Sequence, residues 1–342
     1  MMLVRSIRRS DLPAMVALVQ SAGVGLTSLP SNIDRLTRRI DASEASIAGE
    51  TEPADAEYLF VLEDEAASRV VGLCAIAAAV GLRVPWYHYR LGLSVHASRD
   101  IDVYRQLQTL FLTNDLTGSS ELCSLFLHGD YRHSNNGSLL SKSRMLFLAE
   151  FPERFAAGVI AEMRGVSDAN GHSPFWEGLG RKFFKMDFSQ ADYLSGVGDK
   201  SFIAELMPQH PVYSAFLPPE AQAVIGAVHE NTRPALAMLQ SEGFRPIGYV
   251  DIFDAGPTVA AQREQIRAVR DSRVIPVVCG DPGEGEKWLL SNRRLGDFRV
   301  VLARVADSGE YLTIAPEVVQ RLQVADGDSV RAVRLVAESA AA

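Results

Sequence analysis

The segment that follows the apolar run at 122–127 carries the residues best suited to chemistry. That run predicts a strand, and it leads into a turn that contains Arg132, Asn135 and Gly137 before a helix predicted over 138–151. The start of a helix presents unpaired backbone N–H groups and the positive end of its dipole, which together bind anions. The sequence therefore indicates a phosphate site, although a plain strand-to-helix connection remains an alternative on this spacing alone.

The turn resembles the pyrophosphate loop of the acyl-CoA N-acyltransferase (GNAT) superfamily, which reads Arg/Gln-x-x-Gly-x-Gly/Ala. Asn135 stands where the first Gly usually lies, and Asn tolerates a positive φ better than other non-Gly residues. Segment 231–244 resembles the helix that follows the acyl-CoA site in that superfamily, and 173–184 is a looser copy. The resemblance implies an acyl-CoA site formed by Leu125, Arg132, Asn135, Gly137 and Ser138.

Longer stretches resemble one family, the bacterial arginine N-succinyltransferases. The matching stretches span most of the chain and lie at 25–30, 95–98, 117–123, 161–166, 202–208 and 251–257. The resemblance implies transfer of succinyl from succinyl-CoA to the α-amino group of L-arginine in arginine catabolism. Succinyl-CoA is then a co-substrate, and neither a permanently bound cofactor nor a metal is expected.

Several alternatives stay open within this resemblance. Ornithine or another basic amino acid is an alternative acceptor for the acyl group. A non-catalytic subunit that binds acyl-CoA is an alternative role for the chain. In some bacteria the family occurs as two related subunits. This chain fits either of them, including the alpha subunit. A homo-oligomer or a hetero-oligomer with a paralogous subunit is expected.

Composition excludes several other classes of function. The chain has 342 residues, of which 47% are hydrophobic, and a formal net charge of -8. An acidic balance disfavours nucleic acid as a partner, because phosphate backbones reward a basic surface. Neither an apolar run of roughly 18 residues nor a signal-peptide core is present, so we predict a cytoplasmic protein without a membrane partner. Three cysteines without C-x-x-C spacing indicate neither a disulfide nor a zinc site.

The predicted fold class is α/β (α+β), with a GNAT-like mixed sheet flanked by helices over residues 1–260. The sheet includes strands at 3–7, 58–62 and 70–80, and a helix is predicted at 11–22. Two copies of the helix that borders the cleft suggest a fold that is extended or partly doubled, with halves at 1–195 and 196–260.

The pattern of predicted secondary structure changes after Pro257. Residues 259–272 predict a helix or linker, and short strands are predicted beyond it, at 274–278, 298–303, 311–314 and 329–335. The segment 312–330 resembles a strand, short helix and Asp-Gly turn of double-psi barrels. We therefore predict a small β-barrel domain over 273–338, with a structural or interface role.

Succinyl transfer requires a base for the amine, a donor for the thioester carbonyl and an acid for the leaving thiolate. By resemblance, the backbone of Leu125 contacts the carbonyl, and His229 matches the position of the family's proton donor. Histidine suits this role because its ordinary pKa is about 6.5. A capping role for His229 at a helix entrance remains an alternative, and His96 is the second candidate.

Substrate contacts are predicted from charge. A succinyl carboxylate suits Arg90, Ser94 or His96, whereas a guanidinium prefers a carboxylate. The candidates for the guanidinium are acidic residues spread along the chain, namely Asp115, Glu121, Glu162 and Asp187. We single out His96, Arg90 and Glu162 as predicted substrate contacts.

Overall fold

The structure, a computed structural model, describes residues 1–22, 32–168, 170–191 and 206–337. Its strands join in the order β12-β15-β11-β14-β13-β1-β2-β3-β6-β7-β10-β9-β4-β5-β8. The strands are β1 (Met2–Ser6), β2 (Glu57–Asp64), β3 (Arg69–Ala77), β4 (His88–Ser98), β5 (Val103–Thr113), β6 (Ser120–Leu127), β7 (Gly158–Glu162), β8 (Val212–Tyr213), β9 (Arg245–Val250), β10 (Pro257–Gln262), β11 (Arg273–Cys279), β12 (Glu286–Ser291), β13 (Arg299–Asp307), β14 (Leu312–Ile314) and β15 (Ser329–Arg334).

Helices cover both faces of the large sheet. They are α1 (Leu12–Ala22), α2 (Ile33–Ala48), α3 (Asn136–Glu150), α4 (Arg181–Phe183), α5 (Pro219–Ala223), α6 (Arg233–Ser241), α7 (Arg267–Arg270) and α8 (Pro316–Leu322). Strand β2 shows why both faces need to be covered, because alternate residues of a strand point to opposite faces of the sheet and β2 is apolar on both. Phe60 packs in the core that contains α3, whereas Leu59 and Val61 pack in the core that contains α1 and α2. The predicted mixed sheet flanked by helices is confirmed.

The predicted C-terminal barrel is also confirmed. Strands β11 to β15 close on themselves, because β12 pairs with β13 as well as with β15. Four of the strands were predicted, and β12 was missed. Strand β13 also pairs with β1, so the barrel and the large sheet share one strand. The resemblance to double-psi barrels stays a prediction.

One predicted element is wrong. The first part of the predicted helix or linker at 259–272 is strand β10, which pairs antiparallel with β7 and β9. The Arg- and Gln-rich composition begins only at Gln262, whereas Val259 is buried in the core. Burial between two strands therefore decides the conformation of the first part. The residues that follow form a 3-10 turn over Arg263–Gln265 and the short helix Arg267–Arg270.

Other predictions are confirmed in part or lie outside the described residues. The helix predicted at 174–184 is largely a π-helical turn over Trp176–Gly180 that continues into α4. The matching stretches 25–30 and 202–208 fall mostly on residues that the structure does not describe. The division into halves at about 195 and the domain bounds stay predictions. Within the described ranges, no helix is long and apolar enough to cross a membrane.

Candidate active site at the splayed strands

The site begins where two parallel strands separate. β6 and β7 pair only at their first residues, Ser120 with Val159 and Glu121 with Ile160. Beyond Glu121 each strand follows a different neighbour, β6 with β3 and β7 with β10. The gap that opens between them is a place where backbone groups of both strands can face a ligand.

A β-bulge in β6 widens this gap. The pairing of β6 with β3 shifts register between Leu73 and Ala75, and Ser124 has a left-handed φ of 54°. A bulge leaves an extra residue unpaired and redirects the chain. Ser124 and Leu125 are the residues of β6 at this shift. Leu125, whose backbone is predicted to contact the thioester carbonyl, thus lies at an irregular point of the strand, and the contact itself stays a prediction.

The first of two adjoining cavities is a groove of about 530 Å³ along β6 and the turn that follows it. The opposite wall is the start of α6, including Asn231, Pro234 and Ala235. All five residues predicted to bind acyl-CoA line this groove, namely Leu125, Arg132, Asn135, Gly137 and Ser138. The structure therefore brings together the residues that the sequence pattern selected.

The turn has the backbone geometry that the pattern requires. Asn135 is the N-cap of α3 with a φ of 68° and ψ of 14°, the left-handed conformation for which Gly is usually chosen. The N–H groups of Gly137 and Ser138 belong to the first turn of α3, which offers them no intrahelical acceptor. Arg132 is exposed, and its Nε donates to the carbonyl oxygen of Leu127 at 3.1 Å. These donors suit the oxygens of a phosphate.

The second cavity, of about 200 Å³, adjoins the groove through the shared wall residues Leu125, Arg164, Thr232 and Ala235. It is lined by charged side chains of both signs. The carboxylates are Glu121, Glu162, Asp251 and Asp254, and the guanidinium groups are Arg144 and Arg164. We call this cavity the charged pocket.

Glu162 is held in place at the end of β7. Its Oε1 accepts a hydrogen bond from Trp86 Nε1 at 2.7 Å and lies 2.5 Å from Nε2 of the fully buried His88. Burial opposes the charged form of His88, but the charge and hydrogen bond of Glu162 outweigh burial and raise the His88 pKa above its ordinary value. Glu162 therefore presents a fixed carboxylate to the charged pocket.

Asp251 adds a second carboxylate near Glu162. Its Oδ1 accepts hydrogen bonds from the backbone N–H groups of Phe253 at 2.7 Å and Asp254 at 2.9 Å. Burial, followed by the negative charge of Glu162, raises the Asp251 pKa above its usual range. Two nearby carboxylates favour a cationic ligand, because such a ligand relieves their mutual repulsion.

The comparisons with known proteins agree with this geometry. A family model described as arginine N-succinyltransferase beta subunit matches residues 2–268, and the model of its C-terminal domain matches residues 273–334. The chain belongs to the arginine N-succinyltransferase family. It is thus a member of a family of acyltransferase enzymes, as the sequence motifs predicted.

Relatives of this acyltransferase family match over nearly the whole chain. Arginine N-succinyltransferase subunit beta from Pseudomonas aeruginosa is 55% identical, covering 98% of this chain and 99% of the relative. Arginine N-succinyltransferase from Escherichia coli is 51% identical over 99% of both chains. The solved structure of arginine/ornithine succinyltransferase subunit AI from P. aeruginosa has a TM-score of 0.91 and 38% identity, covering 98% of this chain and 99% of that one. Both the family model and the Pseudomonas relative name a beta subunit rather than the alpha subunit considered from the sequence.

His229, the predicted proton donor of this arginine N-succinyltransferase family member, lies beside the two cavities but not in their walls. Its backbone N–H donates to the carbonyl of Arg164 at 3.0 Å, and its Nδ1 accepts from the N–H of Asn231 at 3.1 Å. Partial burial, then the charge of Arg164, lowers the His229 pKa below its ordinary value. The ring therefore caps the short 3-10 turn that leads into α6, and it also interacts with the backbone of Ser167. Its catalytic role stays a prediction.

Two predicted substrate contacts lie elsewhere in the molecule. His96 is exposed in the hairpin of β4 and β5, where its ring is 5.6 Å from that of Tyr213. Arg90 is also exposed, with its guanidinium 5.4 Å from the centre of the Phe111 ring. Neither side chain lines the groove or the charged pocket. Glu162 is the one of the three predicted contacts that the structure places in the pocket.

The sequence analysis missed Arg144, His88 and Asp251. Arg144 lies in the middle of α3, where the pattern predicts a helix but gives no sign that one basic residue points into a cavity. His88 adjoins aromatic residues and indicated no role, and Asp251 opens the matching stretch 251–257 without an assigned function. Within the described ranges, no group of three or more His, Cys, Asp or Glu side chains is arranged to hold a metal ion.

Proposed function

We propose that this enzyme transfers the succinyl group of succinyl-CoA to the α-amino group of L-arginine, giving N2-succinyl-L-arginine and CoA. The observation that carries the proposal is that a groove with phosphate donors and a pocket with carboxylates meet at the bulged residue Leu125. An acyl thioester in the groove and a cationic amine in the pocket would have their reacting atoms at this junction. The names of the relatives support succinyl and arginine as the two substrates.

In this proposal, the first turn of α3 and Arg132 bind the phosphates of CoA. The backbone of Leu125 donates to the thioester carbonyl oxygen, whose negative charge grows as the amine attacks. Preorganised donors of this kind stabilise the transition state, because they require no rearrangement during the reaction. No covalent intermediate with the enzyme is involved, so both substrates are bound together when they react.

The charged pocket receives the amino acid. The ammonium group first loses one proton to solvent, which gives the nitrogen a lone pair. Glu162 contacts this α-amino group and accepts its next proton as the nitrogen attacks the carbonyl carbon, while His88 and Trp86 hold the carboxylate in place. The carbon–sulfur bond then breaks, and the CoA thiolate takes a proton from His229. This step requires the imidazolium form, in which Nδ1 is protonated and no longer accepts from the N–H of Asn231. Holding both reactants in fixed positions supplies much of the rate enhancement expected from proximity.

A second candidate acceptor is ornithine or another basic amino acid. It is favoured by the carboxylates of the pocket, which suit any cationic side chain, and by the solved relative whose title names both arginine and ornithine. A subunit that binds acyl-CoA without turnover is a further possibility. We propose a cytoplasmic enzyme that assembles as a homo-oligomer or with a paralogous subunit.

The test mixes purified protein with succinyl-CoA and a panel of amines, namely arginine, ornithine, lysine and Nα-acetylarginine, and follows the release of CoA thiol. We expect release with arginine, with the product acylated at the α-nitrogen, and none with Nα-acetylarginine, which lacks that amine. Faster release with ornithine would favour the second candidate. Binding of succinyl-CoA without thiol release from any amine would overturn the enzymatic proposal.

A further inference from the structure

Arg144 is a buried cation at the edge of the charged pocket. Only 1% of its surface is exposed, and the residue lies in α3 with the core packed around it. Its Nε and one terminal nitrogen donate to the carbonyl and hydroxyl oxygens of Ser141, at 3.2 Å and 3.0 Å. Its other terminal nitrogen donates to the carbonyl of Cys123 at 3.3 Å. The side chain is therefore fixed in orientation by neutral groups.

The two other buried arginines in the described part of the chain each have a carboxylate partner. Arg5 pairs with Asp11 at 2.7 Å, and Arg267 pairs with Glu242 at 2.7 Å. Within the described ranges, no carboxylate oxygen forms an ion pair with Arg144. A buried charge without a counter-charge is costly, and proteins usually pair such groups. The difference suggests that the partner of Arg144 arrives with a ligand.

The surroundings of Arg144 support an anionic ligand at this point. The ionisable groups that face it are the thiols of Cys74 and Cys123 and the carboxylate of Glu121, and burial lowers the Arg144 pKa despite them. Glu121 is the only carboxylate among these groups, and it also influences Arg39. These groups thus do not offset the cost of burying the Arg144 charge.

The position of Arg144 fits one part of the proposed co-substrate. Its guanidinium holds the carbonyl of Cys123, which immediately precedes the bulge at Ser124 and Leu125. The thioester carbonyl is proposed to bind at Leu125. In a succinyl group, three carbon–carbon bonds separate that carbonyl carbon from the distal carboxylate carbon, a span of roughly 4 Å when extended. The distal carboxylate would therefore extend from the bulge into the charged pocket, which Arg144 lines.

We propose that Arg144 binds the distal carboxylate of the acyl group and makes the enzyme selective for dicarboxylic acyl thioesters over neutral ones of equal length. This inference rests on the proposed function and specifies its acyl donor. A planar guanidinium offers paired N–H donors that match a carboxylate. Two different side chains of the charged pocket then meet the substrates, Arg144 the acyl carboxylate and Glu162 the amine.

The experiment compares succinyl-CoA with butyryl-CoA, which has the same chain length and a methyl group in place of the carboxylate. We expect the wild-type enzyme to have a kcat/KM about 100-fold higher for succinyl-CoA, the worth of one buried charged contact. Arg144→Met should lose about 100-fold with succinyl-CoA and change less than about threefold with butyryl-CoA. Arg144→Lys, which keeps the charge, should recover part of the preference.

The matched control is Arg270→Met, because Arg270 is an exposed arginine whose partner is the neighbouring Asp271. It should leave both acyl donors unaffected. An equal loss with both donors in Arg144→Met would overturn the inference and indicate a purely structural role. If that variant does not fold, the wild-type comparison decides, because equal use of the two donors excludes a carboxylate site. Failure of the proposed function differs from all of these results, since arginine would then be acylated from neither donor.

Discussion

The groove and the charged pocket are adjoining cavities that are built in different ways. The phosphate end of the groove comes from one continuous segment. Arg132, Asn135 and Gly137 lie within six consecutive residues, and the donors are largely backbone N–H groups. The pocket comes from side chains of distant strands and helices, including Arg144, Glu162 and Asp251. Sites made from local backbone leave a sequence pattern, whereas sites made from converging side chains do not.

If the two cavities have separate roles, variants should separate turnover, amine binding and acyl-CoA binding. The largest effect is expected at His229, which lies beside both cavities. His229→Gln keeps a hydrogen-bonding side chain but cannot shuttle a proton, so turnover should fall about 100- to 10,000-fold with little change in either substrate's affinity. Stopped-flow or steady-state thiol release measures this, with the exposed His210→Gln as a control. Retained turnover with a lower melting temperature would instead identify His229 as a structural cap.

A smaller effect, confined to the pocket, is expected at Glu162. Glu162→Gln removes both the charge that meets the amine and the base that accepts its proton, and it leaves the shape nearly unchanged, so kcat/KM for arginine should fall about 100-fold. Succinyl-CoA affinity, measured by calorimetry, should change little. The exposed Glu220→Gln is the matched control. A loss of succinyl-CoA binding in Glu162→Gln would show that the two cavities do not act separately.

The reverse result is expected in the groove. Arg132→Ala should weaken succinyl-CoA binding by about 1 to 3 kcal/mol, the range for a charge-assisted contact, while arginine affinity stays nearly constant. Titration calorimetry with each substrate checks both parts. Arg105→Ala, an exposed arginine on β5, should have no effect. An unchanged dissociation constant for succinyl-CoA would remove Arg132 from the site.

The smallest effect concerns pH and the His88–Glu162 pair. Because the folded-state pKa of His88 is raised, the pair contributes stability below the unfolded pKa of about 6.5, and this contribution disappears as pH rises through the folded value. His88→Asn should therefore lower the melting temperature more at pH 6 than at pH 9. The exposed His172→Asn should show no such difference. An equal loss at both pH values would mean that the pair is not charged.

The same contrast explains how much the sequence predicted. The apolar runs of β2, β3 and β6 and the turn at Asn135 are local signals, and the structure agrees with each of them. Strand β10 was missed because its role depends on burial between β7 and β9, which are distant in sequence. Arg90 and His96 were chosen for their charge, but both are exposed on the hairpin of β4 and β5 and neither lines the groove or the charged pocket. Arg144 was missed for the opposite reason, since it points inward from a helix that is buried on most sides.

The central claim is that the two substrates meet at the bulge of β6. A crystal structure of the wild-type enzyme with CoA and N2-succinyl-L-arginine tests this claim most directly. We predict the CoA phosphates against Gly137 and Ser138, the thiol sulfur near Leu125, and the product amide between Leu125 and Glu162. A thiol sulfur outside the gap between β6 and β7, or an amino acid bound away from Glu162, would contradict the account.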